Sequence, residues 1–220
     1  DNNAWLSNVI SKHDNWLSDA EVEKYQLAYD GALDEIAKRD KARTDGVNYK
    51  LIANYAAIII DTLVDYMLGK SPIYTVEDPE QEDDETDEAE IITEYRKKLM
   101  ELLKEKATLV LSEMLRQGCI AGYSAVICWV DEQGNIDYNE YPVQEVIPVY
   151  DARNRLVMVL RKYTVEVITD GQTVERTRLE VYDDRYITYY IGDTSGGFAL
   201  DETEVASGNP IEHKAGRIPV

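Results

Sequence analysis

Bases and metal ligands are what this sequence has least of. Lysine and arginine together number 23 against 43 aspartates and glutamates, a formal net charge of −20 over 220 residues. Binding nucleic acid or an anionic membrane depends on clustered cations that neutralise phosphate, so this balance argues against either as an autonomous activity. A surface that repels DNA, one that meets basic partners, and plain solubility all stay open. The two histidines, His13 and His213, cannot build a triad or a zinc site without distant partners. His13, flanked by Lys12 and Asp14, reads as a surface residue. The two cysteines, Cys119 and Cys128, lack metal-ligand or CxxC spacing and read as two buried, reduced thiols. No signal peptide is evident, and no run of about 18 apolar residues could span a bilayer. Phosphate loops, dinucleotide fingerprints, HExxH helices and GxSxG elbows are missing too.

What is present is a long chain with an ordinary hydrophobic fraction of 44%, enough for one domain or two. Its organising stretch runs from Asn48 to Tyr74. There Leu51, Ile52, Tyr55, Ile58, Ile59, Thr62, Leu63, Tyr66 and Met67 recur at three- and four-residue spacing, which predicts a core-facing helix. Gly69 suits a left-handed cap, Lys70 follows it, and Pro72 forbids continuation, so the chain is expected to leave as a short strand over Ile73 to Val76. Asp61 and Asp65 lie one turn apart on this helix.

Before it, Trp5, Val9 and Trp16 fall on one helical stripe, read as core packing or a docking face. Ser18 and Glu21 form a capping box. The helix it opens is expected to run through Val22 and Tyr29 to Ile36 and to end in the basic run 37–43. After it, residues 77–90 are acidic without a single lysine or arginine, a self-repelling loop that lacks the ligand order of a calcium site. A second helical region from Ala89 carries Leu99, Leu102, Leu109 and Met114, with a break between Lys104 and Ala107.

Period-2 patterning then takes over. Strands are predicted over 123–130, 135–141, 146–150, 156–169, 173–182 and 186–191, with turns at Gly134, Asp170–Gly171 and Asp183–Asp184. Residues 192–210 read as loop. Helices first and antiparallel strands second argue an α+β fold, with a helical part over 1–122 and a β part over 123–220.

Taken in order, these stretches resemble the portal proteins of tailed bacteriophages, SPP1-like family, across residues 20–220. The resemblance rests on Asn48, Leu51, Asn54, Asp61, Gly69, Lys70 and Pro72, then on Gly122 and Tyr123 leading into a strand. Gly134 and Pro148 follow in the hairpin and proline element, then Arg161 with Tyr163, Glu180 with Tyr182, and His213, Gly216 and Pro219. Ser71 departs from the family by separating Lys70 from Pro72. The resemblance implies a structural subunit without catalytic, cofactor or metal residues. It implies the peripheral wing of a ring of about a dozen copies at one capsid vertex, assembled in the host cytoplasm. Such a ring passes double-stranded DNA, meets terminase, capsid or scaffold and head–tail adaptor proteins, and has no membrane partner. It also implies that the chain is a piece of a longer protein, ahead of stem and clip. Two other readings stand beside it. One is an adaptor domain that binds through its tyrosine-rich strands. The other is a metal-dependent hydrolase using Asp61 and Asp65.

Overall fold

The computed structural model describes residues 2–32, 38, 53–70, 72–74, 87–103, 105–130, 134–169, 172–192, 197–201 and 208–220. Five helices come first among them: α1 Asn2–Asp19, α2 Val22–Tyr29, α3 Tyr55–Leu68, α4 Asp87–Leu102 and α5 Glu105–Ala121. Eight strands follow: β1 Ala125–Val130, β2 Ile136–Tyr141, β3 Val146–Tyr150, β4 Leu156–Thr169, β5 Gln172–Tyr182, β6 Tyr186–Gly192, β7 Phe198–Leu200 and β8 Ile211–Glu212. The α+β order holds.

Strands β1 and β2 make a separate antiparallel hairpin. The larger sheet runs β3-β4-β5-β6-β7, with β8 also paired to β6. All its pairings are antiparallel. Among the described residues only the base of the long β4–β5 ribbon pairs with outer strands: β3 reaches Arg161, and β6 pairs with β5 from Arg178 onward. Among the described residues the distal half pairs as two strands alone, and Ile168 near its end is 78% exposed.

Burial explains where the helices sit. Leu6 and Ile10 of α1 pack with Ile147, Leu160, Leu179 and Val181 of the sheet. Ala107 and Val110 of α5 pack with Tyr138 of the hairpin. Val22, Ala121 and Val143 close the space between α2, the end of α5 and the loop before β3. Ile127, Val146, Val159, Tyr182 and Ile187 join hairpin and sheet, with Ile218 and Val220 folded against them.

Several local expectations are corrected. Helix α1 continues through Ser18 to Asp19, so no capping box opens α2. Glu21 precedes α2 in the left-handed region (φ 51°) with no side-chain cap. Gly69 ends α3 right-handed, at φ −64°. Its lack of a side chain is still needed, because a Cβ there would meet the Asp65 carbonyl oxygen at 2.3 Å. Residues 72–74 join no sheet. The loop read over 192–210 contains β7, and the acidic stretch gives way to α4 at Asp87. The basic run 39–43, the acids of 77–86, Asn48, Leu51 and the Asp170–Gly171 turn lie outside the described residues.

The larger correction concerns α3. Its inner face presents Ala57, Ile60, Val64 and Leu68, and of these only Val64 is fully buried. Its outer face, expected in the core, is open: Tyr55 69%, Ile58 59%, Ile59 67%, Leu63 43%, Tyr66 89% and Met67 57% exposed. At 3.6 residues per turn these positions cover about half the circumference. The sequence shows apolar residues on both faces, and the packing uses one.

The start of α3 is held by Asn54. Its Oδ1 accepts from the Ala57 amide at 3.1 Å, and its Nδ2 donates to the Tyr29 carbonyl at 2.6 Å. Asn54→Ala removes a helix cap and a tie to α2 together. The expected loss is about 1–2 kcal/mol of unfolding free energy, measurable by urea denaturation.

Candidate assembly surfaces

Four of the sequence-predicted residues, Arg161, Tyr163, Glu180 and Tyr182, meet on facing strands β4 and β5. Arg161 lies opposite Glu180 in the ladder. Its guanidinium carbon sits 3.9 Å from the Tyr141 ring centroid and 4.2 Å from that of Tyr163. It bonds Glu145 at 3.2 Å and approaches Glu180 at 3.5 Å. Glu180 accepts from the Tyr163 hydroxyl at 2.6 Å and also from the Tyr182 hydroxyl. Burial and then the Glu180 carboxylate push both phenols above their ordinary range, so they stay hydrogen-bond donors. Burial works against the Arg161 charge, and Glu180, Tyr141 and Glu145 more than offset it. This is a satisfied internal network that ties β4 and β5 to Tyr141 at the end of β2 and to Glu145 before β3.

Asp61 is similarly committed. It accepts from the Tyr29 hydroxyl at 2.9 Å and from Arg116 Nε at 3.3 Å, which ties α2, α3 and α5 together. Asp65 stands exposed one turn on. The tyrosine-rich strands turn inward: Tyr182 and Tyr189 pack in one core and Tyr190 against another. Lys70 and Pro72 follow α3, with Lys70 exposed. Gly122, Gly134 and Gly216 all have positive φ (94°, 83° and 68°), which an L side chain rarely adopts. His213 donates from Nε2 to the Asp183 carbonyl and accepts the Ala215 amide at Nδ1, both at 3.1 Å. The Pro219 carbonyl accepts from the Cys128 amide at 2.9 Å. Both cysteines are unbonded and exposed, where burial was expected.

His13 was read as surface and is 7% exposed. The signal was present in the sequence: Leu6, Ile10 and His13 continue one helical stripe. Tyr123 donates its hydroxyl to the Val146 carbonyl at 3.0 Å, so His13 Nε2 donates to Tyr123 at 3.1 Å. Nδ1 makes no hydrogen bond of good geometry, although the Val143 backbone is near enough to favour the charged ring. Burial dominates and holds the imidazole below its ordinary 6.5. The stabilising contribution of this neutral imidazole is therefore lost as pH falls below that value.

Around His13 lies an open groove of about 490 Å³ between α1 and β3. Trp5, Val9, Lys12 and Trp16 form one wall, and Ile147 to Tyr150, Pro148 among them, form the other. Trp16 stacks 5.8 Å from His13 and tilts 5.6 Å from Tyr123. Trp5 and Trp16 remain 42% and 40% exposed. Their helical stripe thus edges a concave aromatic surface while the Leu6–Ile10–His13 stripe sinks into the core.

Glu140 carries the clearest carboxylate shift among the described residues. Burial, then the nearby Glu113, pushes it up to about 7, and its Oε1 has no partner. A raised carboxylate pKa gives stability that is full below 4.5 and lost as pH rises through about 7. Glu140→Gln is therefore expected to match the parent at pH 5 and exceed it at pH 8, by about 1 kcal/mol once solvent screening is allowed for. Thermal melts at the two pH values check this.

No cluster of three His, Cys, Asp or Glu side chains suited to a metal occurs among the described residues. No described helix is long and apolar enough to cross a membrane. What the fold does offer is surface for association: a bare apolar helix face and an aromatic groove. A scaffold-like subunit is the class of protein these features define.

Comparison with known proteins makes that specific. The family profile "Phage portal protein, SPP1 Gp6-like" matches residues 8–220. The chain is also 24% identical over 218 residues to the portal protein of Bacillus phage SPP1, covering 93% of this chain and 38% of that relative's length. The chain belongs to the SPP1 Gp6-like family of phage portal proteins, a family of structural phage proteins.

Proposed function

We propose that this chain is the wing of a portal ring at one vertex of a phage capsid. In that role many copies of the full-length protein close a channel through which double-stranded DNA enters and leaves. Terminase docks on the ring during packaging, capsid or scaffold proteins surround it, and head–tail adaptors join it afterwards. The observation that carries this reading is the family match, which runs through helices, hairpin and sheet alike. The charge supports it: a surface at −20 repels the phosphate backbone and lets DNA slide without sequence-specific binding. Within this reading residues 1–122 and 123–220 are the helical and β parts of the wing. Arg161, Glu180 and the signature glycines act structurally.

Electron microscopy of the full-length protein tests it. Closed rings with an axial channel are expected. A species that stays monomeric under every condition, including inside assembling capsids, overturns the proposal. The hydrolase alternative predicts metal-dependent DNA cleavage abolished by Asp61→Asn. The Asp61 contacts to Tyr29 and Arg116 favour a structural role instead.

A further inference from the structure

We infer that the outer face of α3 is a ridge that seats in the α1/β3 groove of a neighbouring copy, a head-to-tail contact between subunits. The inference rests on the ring reading above and names the surfaces that would make it.

The ridge comes first. Tyr55, Ile58, Ile59, Leu63, Tyr66 and Met67 stand outward on one side of a regular helix. A helix that is apolar all round belongs in an interior, and half of this one faces outward. With about 200 Å² for each side chain of this size, the exposure is roughly 770 Å², close to the ~800 Å² per partner of a standard interface. Isolated exposed hydrophobics need no explanation, but a continuous face this large marks an interaction site.

A second copy is the occupant for three reasons. The first is charge. Two chains at −20 each repel, so contact between them needs surfaces free of carboxylates at their centres. The six ridge residues carry no charge, and neither do Trp5, Val9, Trp16, Tyr123, Pro148 and Tyr150 of the groove. The second reason is shape. The ridge is convex and the groove concave, and its 490 Å³ accepts about two or three large side chains. A contact between two different patches is heterologous, and repetition closes a ring when the rotation allows. An isologous α3–α3 pairing would stop at a dimer. The third reason is at the rims. Asp65 flanks the ridge and Lys12 the groove. Neither side chain has an ion-pair partner among the described residues, and they are of opposite sign, so each can meet the other across the contact.

Sedimentation velocity over a wide concentration range tests this with substitutions at exposed positions, each checked for folding by circular dichroism. The parent chain is expected to associate reversibly. Tyr66→Glu in the ridge and Trp5→Glu in the groove are each expected to weaken association at least tenfold. An equimolar mixture of the two variants is expected to form dimers and nothing larger, because only one intact ridge–groove pair can form. Lys12→Glu is expected to weaken association a few-fold, and adding Asp65→Lys to restore it. The inference is overturned by a parent chain that is monomeric throughout, by a Trp5→Glu variant that associates like the parent, or by a mixture that does not associate. Electron microscopy of the full-length protein separates the two proposals. Intact rings from the Tyr66→Glu variant sink this contact and leave the portal reading standing, whereas absence of rings from the parent protein sinks the portal reading itself.

Discussion

Arg161→Leu is expected to lower the unfolding free energy by about 3–5 kcal/mol, because it leaves a buried carboxylate without its cation. Glu180 is 6% exposed, and Arg161 is the cation paired with it across the strand ladder. The same guanidinium fills the space between the Tyr141 and Tyr163 rings, so its loss also opens packing on both faces. Arg161→Lys keeps the charge but not the planar stacking or the Nε contact to Glu145, and is expected to recover only part of the loss. Urea denaturation of the two variants at one pH gives the comparison. A loss below about 1 kcal/mol for Arg161→Leu would place the pair among surface ion pairs and contradict the buried-network reading.

Asp201→Ala is the second large effect, again about 3–5 kcal/mol. Asp201 is 1% exposed and accepts from Arg178 Nε at 3.0 Å and Nη2 at 2.9 Å. Arg178 is itself 5% exposed, so the substitution takes a paired carboxylate away from a buried guanidinium. Asp201 also fixes its surroundings through the backbone: its amide donates to the Tyr189 carbonyl at 3.0 Å, and its carbonyl accepts from Asn209 Nδ2 at 3.0 Å. Replacing both residues, Arg178→Leu with Asp201→Leu, removes the buried cation as well and is expected to cost less than Asp201→Ala alone. Chemical denaturation of the three variants checks the order. Equal losses for the single and double variants would show that the pair itself carries the stability.

These two sites mark the reach of sequence reasoning. The Arg161, Tyr163, Glu180 and Tyr182 set stood out through the resemblance to the family pattern. Their meeting followed from the β4–β5 register, which the hairpin signals anticipated. Asp201 gave no signal. It lies in a stretch rich in glycine, serine and acids, and its partner is 23 residues away. One short strand, β7, brings the two together, and three residues of pattern are too few to predict it. His13 falls between the two cases. Its place on the Leu6–Ile10 stripe was visible, but the neighbouring Lys12 and Asp14 suggested a solvated position. The sheet, by covering that stripe, decided otherwise.

The sequence by itself determined the helices-then-strands order, the main hairpin turns and the family, since each depends on residue periodicity, turn chemistry or the spacing of particular side chains along the chain. It also set a net charge of −20. Only the tertiary structure decided which apolar faces are used. Periodicity marks a face as apolar without saying what covers it, and α3 is apolar on both sides. Its inner residues face α2 and α5 through the Asp61, Tyr29 and Arg116 contacts, which turns Tyr55, Ile59 and Tyr66 outward. Burial is a property of neighbours, and neighbours distant in the chain are fixed by packing.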